Sequence, residues 1–510
     1  MALTIPELVD AAVSEVPDKE WLLYGDLTYT YRAARLQAGR AASALAELGV
    51  GRGDLVLATA SNRPEYLFLW LAVMYLGGIF VPADPRASGA ELAGLARQAA
   101  PALAVSDREL PAEVAEALER AGGRGIAYVD DLLASDSPTA TGPGPSQPDD
   151  PAVLIPTSGT TGRSKLVTQT QRAYAMAAEG FPWWLELTAD DRLMTSLPLF
   201  HINAPAYSVL GSIAARASLV LLPGFSASTF IDSARRYEAT EFNAIGAMIE
   251  ILMRQPERPS DADNPLRLCY TGPSPTEERQ LAIERRFGLR IVCGYALSET
   301  PYGLVWSRGE RPYGTLGSPR QHPTLGRVNE ARLVRDGQQV DAGEVGELQL
   351  RNPAVMKGYW GMPAETSRVL LPEGWLRTGD LVRDNGDATY TFVGREKEVI
   401  RRRGENVAPA EIEEVLMLHP DVVEAAVIGV PSELTEEEIK AFVVVRDGTE
   451  DNLADIREWA AGRLTRFKVP RYLERVAELP HTATGRVAKH RLARERTERE
   501  LDFDARDARA

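Results

Sequence analysis

The chain has 510 residues, of which 44% are hydrophobic and 25% charged, and its formal net charge is −15 at pH 7. This length exceeds the size at which one hydrophobic core usually keeps growing, so we expect at least two domains. The acidic balance argues against a nucleic-acid-binding protein, because such proteins need positive surface for phosphates. The only cysteines, Cys269 and Cys293, exclude a disulfide framework, and their spacing fits no zinc motif.

The sequence carries no sign of export or of membrane insertion. Its first residues, MALTIPELVD, lack a basic segment followed by an apolar one. The apolar run that comes nearest to a membrane span, residues 66–81, is interrupted by Gly77 and Gly78. We therefore predict a cytoplasmic protein without a membrane span.

Helix and strand patterns alternate from the start of the chain. Apolar residues recur at helical spacing over residues 29–48, and that helix is predicted to stop at Gly49. Residues 55–60 form a predicted strand, followed by a helix from residues 62–65 to Gly77 and a strand over residues 79–81. This alternation predicts an α/β fold with mixed sheets flanked by helices.

A proline-, glycine- and serine-rich stretch, residues 135–150, is predicted to link two lobes of one large domain. Directly after it, an apolar run leads into a loop of hydroxyl side chains, glycines and one lysine. Its distinctive members are Thr157, Ser158, Gly159, Thr160, Thr161, Gly162 and Lys165. Successive main-chain N–H groups in such a turn form an anion-binding concavity, and the lysine adds charge. The loop lacks the Walker pattern, and the alternatives are a polyphosphate site or an ordinary Ser/Thr/Gly turn.

Further loops follow strand-like segments and carry polar groups. Residues 197–204 contain His201, which we interpret as lining a pocket and not as an acid–base catalyst. The loops 270–275 and 294–300 each follow a predicted strand, and ligands of open α/β sheets bind at such strand ends. Glu299 is the one acidic residue of its loop, so it would share a magnesium ion with phosphates or stabilise a helix N-terminus.

After residue 326 the regular alternation of helix and strand patterns ends. Residues 326–394 are strand-rich, and Asp380 in a Thr-Gly-Asp turn would accept both hydroxyls of a ribose. A second, smaller α+β unit is predicted to begin near residue 399. The charge-dense residues beyond Leu492 are predicted to form a fraying tail.

Taken in order, the motifs resemble the adenylate-forming superfamily of acyl- and aryl-CoA ligases, luciferases and peptide-synthetase adenylation domains. They are the loop at 157–165, Leu197-Pro-Leu-Phe-His201, Gly294-Tyr-Ala-Leu-Ser-Glu299, Thr378-Gly-Asp380, Gly394-Arg-Glu-Lys-Glu398 and Thr484-Gly-Arg-Val-Ala-Lys489. The resemblance extends from Thr28 to Leu492. It implies an N-terminal AMP-binding domain over residues 1–397, a mobile C-terminal domain over 398–498 and a charged tail over 499–510.

The resemblance also implies a reaction in two halves. A carboxylate attacks the α-phosphate of ATP, bound with Mg²⁺, to give an acyl-adenylate and pyrophosphate, and a thiol then displaces AMP. Rotation of the C-terminal domain about a hinge at Glu398 would change which face of that domain lies against the active site. CoA is the expected co-substrate.

The same resemblance assigns roles to individual residues. The nucleotide would be bound by Thr157, Ser158, Gly159, Thr160, Thr161, Gly162, Lys165, Thr271, Gly272, Pro273, Gly294, Tyr295, Ala296, Leu297, Ser298, Glu299, Asp380 and Arg395. The metal ligands would be Thr157 and Glu299. The acid pocket would be lined by His201, Asn203, Ala204, Tyr207, Ala247, Met248, Ala296, Leu297 and Leu304. The catalytic groups would be Arg486, Lys489, Glu299, Thr160 and Lys165.

Two positions depart from the family pattern. Arg486 stands where the catalytic lysine is usual, and a guanidinium is not interchangeable with an ammonium. Arg486 would do the lysine's electrostatic work, Lys489 would replace it, or adenylation would be impaired; we favour the first. In the nucleotide loop, Ser164 and Leu166 flank Lys165 where proline and glycine are usual, which bears on loop shape.

The predicted function is an ATP-dependent ligase that activates a small or medium organic acid and transfers it to CoA. Ala296, where relatives often carry glycine, argues against a long acyl channel, and Tyr207 and Asn203 would hydrogen-bond a polar substituent. The run 401–403 would meet CoA phosphates or form a solvated face. The alternatives are an adenylating enzyme with a carrier-protein or amine acceptor, one that activates a non-carboxylate oxyacid such as nitrite, and a nucleotide-binding pseudoenzyme.

Overall fold

The computed structural model describes residues 4–134, 146–157, 165–272, 274–402, 405–432, 437–446, 453–482, 487–495, 497 and 499–503. The chain divides into two compact units. The first comprises Met1–Ala331 with Gln349–Arg377, and the second Arg332–Leu348 with Thr378–Ala510. The proposed boundary at residue 397 therefore stays a prediction, because the second unit also takes in part of the strand-rich segment before it.

The helices follow the alternation expected from the sequence. They are α1 (Ile5–Glu15), α2 (Tyr31–Glu47), α3 (Pro64–Tyr75), α4 (Gly89–Ala99), α5 (Ala112–Arg120), α6 (Val129–Ala134), α7 (Gln171–Leu185), α8 (Leu210–Ala215), α9 (Phe230–Tyr237), α10 (Gly246–Arg254), α11 (Glu277–Phe287), α12 (Pro363–Val369), α13 (Pro409–Met417) and α14 (Leu453–Ala461). A π-helical turn, Ala204–Val209, leads into α8.

The strands before residue 320 are β1 (Glu20–Tyr24), β2 (Leu27–Thr30), β3 (Leu55–Thr59), β4 (Ile79–Ala83), β5 (Leu103–Ser106), β6 (Ile126–Tyr128), β7 (Pro151–Thr157), β8 (Lys165–Thr170), β9 (Arg192–Thr195), β10 (Ser218–Leu221), β11 (Glu241–Asn243), β12 (Leu268–Thr271), β13 (Arg290–Leu297), β14 (Thr300–Val305) and β15 (Ser318–Pro319). Those after it are β16 (Glu330–Arg335), β17 (Gln338–Gln339), β18 (Val345–Arg351), β19 (Gly358–Tyr359), β20 (Leu376–Asp384), β21 (Tyr390–Arg395), β22 (Ile400–Arg402), β23 (Glu405–Val407), β24 (Val422–Pro431), β25 (Glu437–Val445), β26 (Tyr472–Arg475) and β27 (Glu500–Asp502).

Local chemistry accounts for the helices predicted near the N-terminus. The Thr30 hydroxyl accepts a hydrogen bond from the Ala33 N–H and so caps the start of α2. Pro64 occupies the first turn of α3, where a missing N–H costs nothing, and Gly77 follows its end with φ of 69°. Nearly every residue of α3 is buried, as expected for a helix that is apolar on all sides. The predicted α/β alternation is confirmed here.

Two sheets build the first unit. The larger has the strand order β15-β14-β13-β12-β11-β9-β10-β1-β2, in which β13 to β1 are parallel and the edges are antiparallel. The other has the order β19-β8-β7-β4-β3-β5-β6, with an antiparallel edge formed by β7, β8 and β19. One hydrophobic core joins residues of both sheets with α1, α2, α3 and α7. The predicted fold class is confirmed, since parallel strands with covered faces characterise such α/β proteins.

The second unit is smaller and contains antiparallel strand pairs. A sheet in the order β17-β16-β18-β20-β21 precedes the pair β22-β23 and the sheet β24-β25-β26-β27. Helices α13 and α14 pack on this last sheet through a core that includes Ile412, Leu416, Val427, Ile456 and Leu473. In the described part of the chain, no helix has the length and apolar character needed to cross a membrane.

The end of the chain corrects one prediction. Residues 500–502 form β27, which pairs antiparallel with β26, and Phe503 is 6% exposed in the core of the second unit. The charges of this segment are paired inside the fold. Glu500 lies 2.7 Å from the Lys440 ammonium, and Asp502 lies 3.0 Å from the Arg471 guanidinium. The prediction of a fraying tail is therefore wrong for residues 500–503.

We predict that Phe503→Ala lowers the free energy of opening of this sheet by about 3 kcal/mol, because it removes a buried aromatic ring. Hydrogen exchange measured by mass spectrometry should then be roughly 100-fold faster in peptides covering β26 and β27. Arg499→Ala changes an exposed side chain beside the strand and serves as the control. Unchanged exchange in Phe503→Ala would contradict the assignment of this segment to the core.

Candidate active site

Strands β7 and β8 form the base of the hairpin that carries the predicted nucleotide loop. Thr157 and Lys165 are paired across its open end, and the Thr157 hydroxyl donates to the Lys165 carbonyl oxygen at 3.2 Å. Residues 158–164, which include the predicted Ser158, Gly159, Thr160, Thr161 and Gly162, lie outside the described residues. The structure thus places the two flanks of this loop.

The residues between β13 and β14 place Glu299 beside the β7–β8 hairpin. The Gln169 side-chain amide, from β8, donates to the Ser298 carbonyl at 2.6 Å. The Glu299 carbonyl accepts from the Met356 N–H at 2.8 Å, and its carboxylate accepts from the Tyr359 hydroxyl at 2.9 Å. These bonds fix the loop of Glu299 against strands β8 and β19.

Tyr359 also contacts the predicted phosphate-binding lysine. The Lys165 ammonium nitrogen lies 4.6 Å from the centre of the Tyr359 ring. Burial raises the pKa of the Tyr359 hydroxyl, and the charge of Glu299 raises it further. The structure therefore joins Lys165 and Glu299 through a tyrosine that the sequence analysis missed. No local signal marked it, because a two-residue strand is too short to show periodicity.

The predicted adenine site lies where β12 and β13 end. A Cβ atom at Gly272 would lie 2.3 Å from the Gly294 carbonyl oxygen, so only glycine permits the residue after β12 to lie this close to β13. The Thr271 hydroxyl is buried and has no hydrogen-bond partner among the described residues. The β13–β14 register shifts between Tyr295 and Leu297, so Ala296 lies at an irregularity of the strand pairing. Pro273 lies outside the described residues.

The predicted acid pocket is built on the π-helical turn. Tyr207 is 2% exposed, and its hydroxyl donates to the Pro301 carbonyl at 2.6 Å while accepting from Arg320 at 2.7 Å. The hydroxyl hydrogen is therefore used inside the fold. The expectation that Tyr207 hydrogen-bonds a polar substituent of the acid is not supported; its ring can contribute only to the shape of the pocket.

Arg320 is a fully buried cation that the sequence analysis also missed. Its guanidinium donates to the carbonyls of Pro301 at 2.8 Å and Leu304 at 3.1 Å, and to the hydroxyls of Tyr207 and Tyr270. It lies 4.5 Å from the Trp184 ring centre. Arg320 therefore connects Leu304 and Tyr207, two residues of the predicted acid pocket.

Asn203 is paired with a second buried amide. The Asn243 side-chain NH₂ donates to the Asn203 side-chain oxygen at 2.7 Å, and Asn243 is fully buried at the end of β11. Its own side-chain oxygen has no partner in the described chain. Asn243 thus sets the position of the Asn203 side chain, and the hydrogen bond from Asn203 to a polar substituent of the acid stays a prediction.

The remaining predicted pocket residues lie on nearby elements. His201 packs against Phe200, with ring centres 4.3 Å apart, and it lines a recess together with Tyr66, Trp70 and Tyr174. Ala204 and Met248 are buried, in the π-helical turn and in α10, and Ala247 precedes Met248 in that helix. The role of His201 as a pocket-lining residue stays a prediction.

In the second unit, Asp380 and Arg395 are paired across β20 and β21. The Arg395 guanidinium lies 2.9 Å from the Asp380 carboxylate, which is 1% exposed. A carboxylate and a guanidinium next to each other offer an acceptor and a donor for the two hydroxyls of a ribose. Their role at a ribose stays a prediction.

Lys489 is held by two carboxylates of the second unit. Its ammonium lies 2.7 Å from Glu413 and 3.4 Å from Glu398, the predicted hinge residue. Burial raises the pKa of Glu413, and the charge of Lys489 opposes that rise. The Glu413 carboxylate also accepts from the Val427 N–H at 2.6 Å. Lys489 thus connects the hinge residue to α13, whereas Arg486 lies outside the described residues.

The arginine run at 401–403 is not one continuous surface. Arg402 is 5% exposed and forms an ion pair with Glu438 at 2.7 Å, and it donates to the carbonyls of Phe467 and Val469. Only Arg401, which is exposed, remains among the described residues to meet a CoA phosphate or solvent. Both interpretations of the run are therefore wrong for Arg402.

A large α/β unit with polar loops at its strand ends, followed by a small α+β unit, is the architecture of adenylate-forming enzymes. Residues 9–360 match the family of AMP-binding enzymes, and residues 411–486 match the AMP-binding enzyme C-terminal domain. The chain belongs to this family.

The relatives and solved structures agree with that assignment. The chain is 31% identical over 487 residues to crotonobetaine/carnitine–CoA ligase of Salmonella enteritidis, covering 91% of this chain and 93% of the relative. ATP-bound MatB from Rhodopseudomonas palustris superposes with a TM-score of 0.88 at 26% identity, covering 96% and 98%. O-succinylbenzoate coenzyme A synthetase (MenE) from Bacillus subtilis, in complex with AMP, gives 0.84 at 26% identity, covering 95% and 97%. The prediction of an AMP-forming ligase of the acyl-CoA synthetase type is confirmed.

We predict that Gly272→Ala weakens binding of AMP by at least about tenfold, because the new methyl group would force Gly272 away from the Gly294 carbonyl of β13. Isothermal titration calorimetry with AMP measures the change. Gly224→Ala is the control, since a Cβ there has no neighbour within 4 Å. Equal affinities for the two variants would show that this close approach does not shape the nucleotide site.

Proposed function

We propose that this enzyme activates a small or medium organic carboxylic acid with MgATP and transfers the acyl group to CoA. The acid's carboxylate oxygen bonds to the α-phosphorus of ATP as the bond to pyrophosphate breaks, which gives the acyl-adenylate. The CoA thiol then loses its proton and bonds to the acyl carbon as AMP leaves. One observation carries the proposal: Tyr359 contacts both Lys165, through its ring, and Glu299, through its hydroxyl.

The residues at this edge fit a nucleotide with its metal. Mg²⁺ prefers oxygen ligands and is usually held by one or two carboxylates together with substrate phosphates. Thr157 and Glu299 offer a hydroxyl and a carboxylate, and the described residues contain no larger group of His, Cys, Asp or Glu that would hold a metal alone. When bound, the ion would neutralise charge on the phosphates. Lys165 would add a positive charge from the opposite flank of the loop.

The pocket residues favour an acid of limited size. Tyr207 is fixed by Arg320, and Leu304 is fixed through its carbonyl, so this wall cannot move aside for a long chain without breaking buried hydrogen bonds. Asn203 is the polar side chain with capacity for a substituent of the acid. CoA as acceptor is supported by the relatives above, which are CoA ligases.

Arg486 is proposed to supply the positive charge that the family's lysine supplies. The support comes from Lys489, the other candidate, because Glu413 and Glu398 already hold its ammonium. Releasing Lys489 would leave the buried Glu413 without its cation, which is costly.

The experiment that tests the proposal measures pyrophosphate and AMP release by the purified protein with MgATP. Aryl, short-chain and medium-chain acids, amino acids and nitrite form the panel, each with and without CoA. Acid-dependent pyrophosphate release with CoA-accelerated AMP release is the expected result. Pyrophosphate release that is indifferent to CoA would indicate a carrier-protein or amine acceptor. ATP binding without release on any acid would indicate a pseudoenzyme and overturn the proposal.

We predict that Arg486→Ala lowers the rate of acid-dependent pyrophosphate release by about 100-fold, the usual loss when one charged donor to a transition state is removed. Arg486→Lys should retain most of the rate. Arg401→Ala, which removes an exposed arginine of the second unit, is the control. If Arg486→Ala releases pyrophosphate at the wild-type rate, Arg486 has no part in adenylation.

A further inference from the structure

We propose that Tyr359 is a positioning residue for adenylation. Its hydroxyl orients the Glu299 carboxylate toward the metal, and its ring sets the position of Lys165. This inference rests on the proposed function, because it assigns the metal and the phosphates to these two groups. It adds a residue of the edge strand β19 to the site.

The first step concerns the hydrogen bonds that hold Glu299. The Tyr359 hydroxyl donates to one carboxylate oxygen, Oε1, at 2.9 Å, and the Met356 N–H donates to the Glu299 carbonyl at 2.8 Å. One short segment thus holds both the side chain and the backbone of Glu299. The bond restricts the carboxylate through Oε1, and the second oxygen, Oε2, is not used by this bond. Groups that hydrogen-bond a metal ligand in this way set its orientation.

The second step is that Tyr359 itself is held firmly. It pairs with Val167 in the antiparallel register of β19 and β8, and the next residue, Trp360, donates its N–H to the Leu166 carbonyl at 2.8 Å. The Tyr359 N–H donates to the Thr366 hydroxyl at 2.9 Å. The side chain is 8% exposed, so few other rotamers are open to it.

The residue before Tyr359, Gly358, packs closely against Thr366. Gly358 has φ of 140°, and a Cβ there would lie 2.7 Å from the Thr366 methyl group. Only glycine combines that backbone angle with that contact. The turn therefore presents Tyr359 in one position relative to β8.

The third step concerns charge. The Lys165 ammonium lies against the ring face of Tyr359, 4.6 Å from its centre, whereas Glu299 contacts the hydroxyl at the ring's edge. A cation over an aromatic face is attracted without being neutralised. Among the described residues Lys165 and Glu299 do not form an ion pair with each other. Tyr359 thus holds a cation and an anion close together while leaving each charge available to a ligand.

Two substitutions separate the two contacts. Tyr359→Phe removes the hydroxyl bond to Glu299 and keeps the ring under Lys165, whereas Tyr359→Leu removes both. Isothermal titration calorimetry, with no acid present, would measure the affinity for a non-hydrolysable ATP analogue with and without Mg²⁺. Tyr128→Phe, which alters a partly exposed tyrosine in β6, is the matched control.

For Tyr359→Phe we expect the affinity gained on adding Mg²⁺ to fall by about 10- to 100-fold, while affinity without the metal stays at the wild-type value. Tyr359→Leu should weaken the metal-free affinity as well. In a double-mutant cycle with Glu299→Gln, the effect of Tyr359→Phe on the metal-dependent gain should disappear, since the hydroxyl acts through Glu299.

A Tyr359→Phe variant that keeps the full Mg²⁺-dependent gain would overturn the inference and leave the proposed function standing. An effect of equal size in the Glu299→Gln background would also overturn it, because the hydroxyl would then act elsewhere. A wild-type protein that binds no ATP analogue, with or without Mg²⁺, would overturn the proposed function itself.

Discussion

The candidate site depends on a charge that has been removed from water. Arg320 is fully buried, and its described partners are carbonyl and phenol oxygens and aromatic rings, with no carboxylate. Burying a guanidinium is costly unless its N–H groups are bonded. Those bonds converge on Pro301, Leu304 and Tyr207, which come from β14 and the π-helical turn. Moving β14 relative to the π-helical turn would break hydrogen bonds to the buried guanidinium and destabilise the fold. Arg320 therefore holds these two elements, and with them this side of the predicted pocket, in a fixed arrangement.

The parts of the fold that the sequence predicted are those determined by local pattern. Helix α3 is apolar throughout, begins at a proline and ends before a glycine, and each signal acts within a few residues. The loops after β12 and β13 could be placed at one edge because parallel strands end on the same side of a sheet. Tyr359 and Arg320 could not be found this way. Their partners, Glu299 and Tyr207, lie 60 and 113 residues away, and no periodicity reports such pairings.

The two errors concerning charged segments have one cause. Charge density was interpreted as solvent exposure for the run at 401–403 and for the end of the chain. In the structure Arg402 pairs with Glu438, and Glu500 joins Glu474 around the Lys440 ammonium, all of them nearly buried. A charged residue is buried when its counter-ion is supplied from another strand. In the second unit these pairs join β22 to β25 and β25 to β26 and β27, so the charge-dense segments form part of its structure.

If Arg486 acts in the first half-reaction, the formation of the adenylate, it can supply positive charge but cannot transfer a proton. An arginine side chain keeps its proton throughout the accessible pH range, so it can act as a fixed charge and donor but not as a proton carrier. The other basic group of that motif, Lys489, is bound by Glu413 and Glu398. An enzyme with this pair would therefore carry out adenylation by electrostatic stabilisation of the transferring phosphoryl group. Because Lys489 pairs with Glu398, the predicted hinge residue, a change of backbone conformation at Glu398 would also disturb this ion pair.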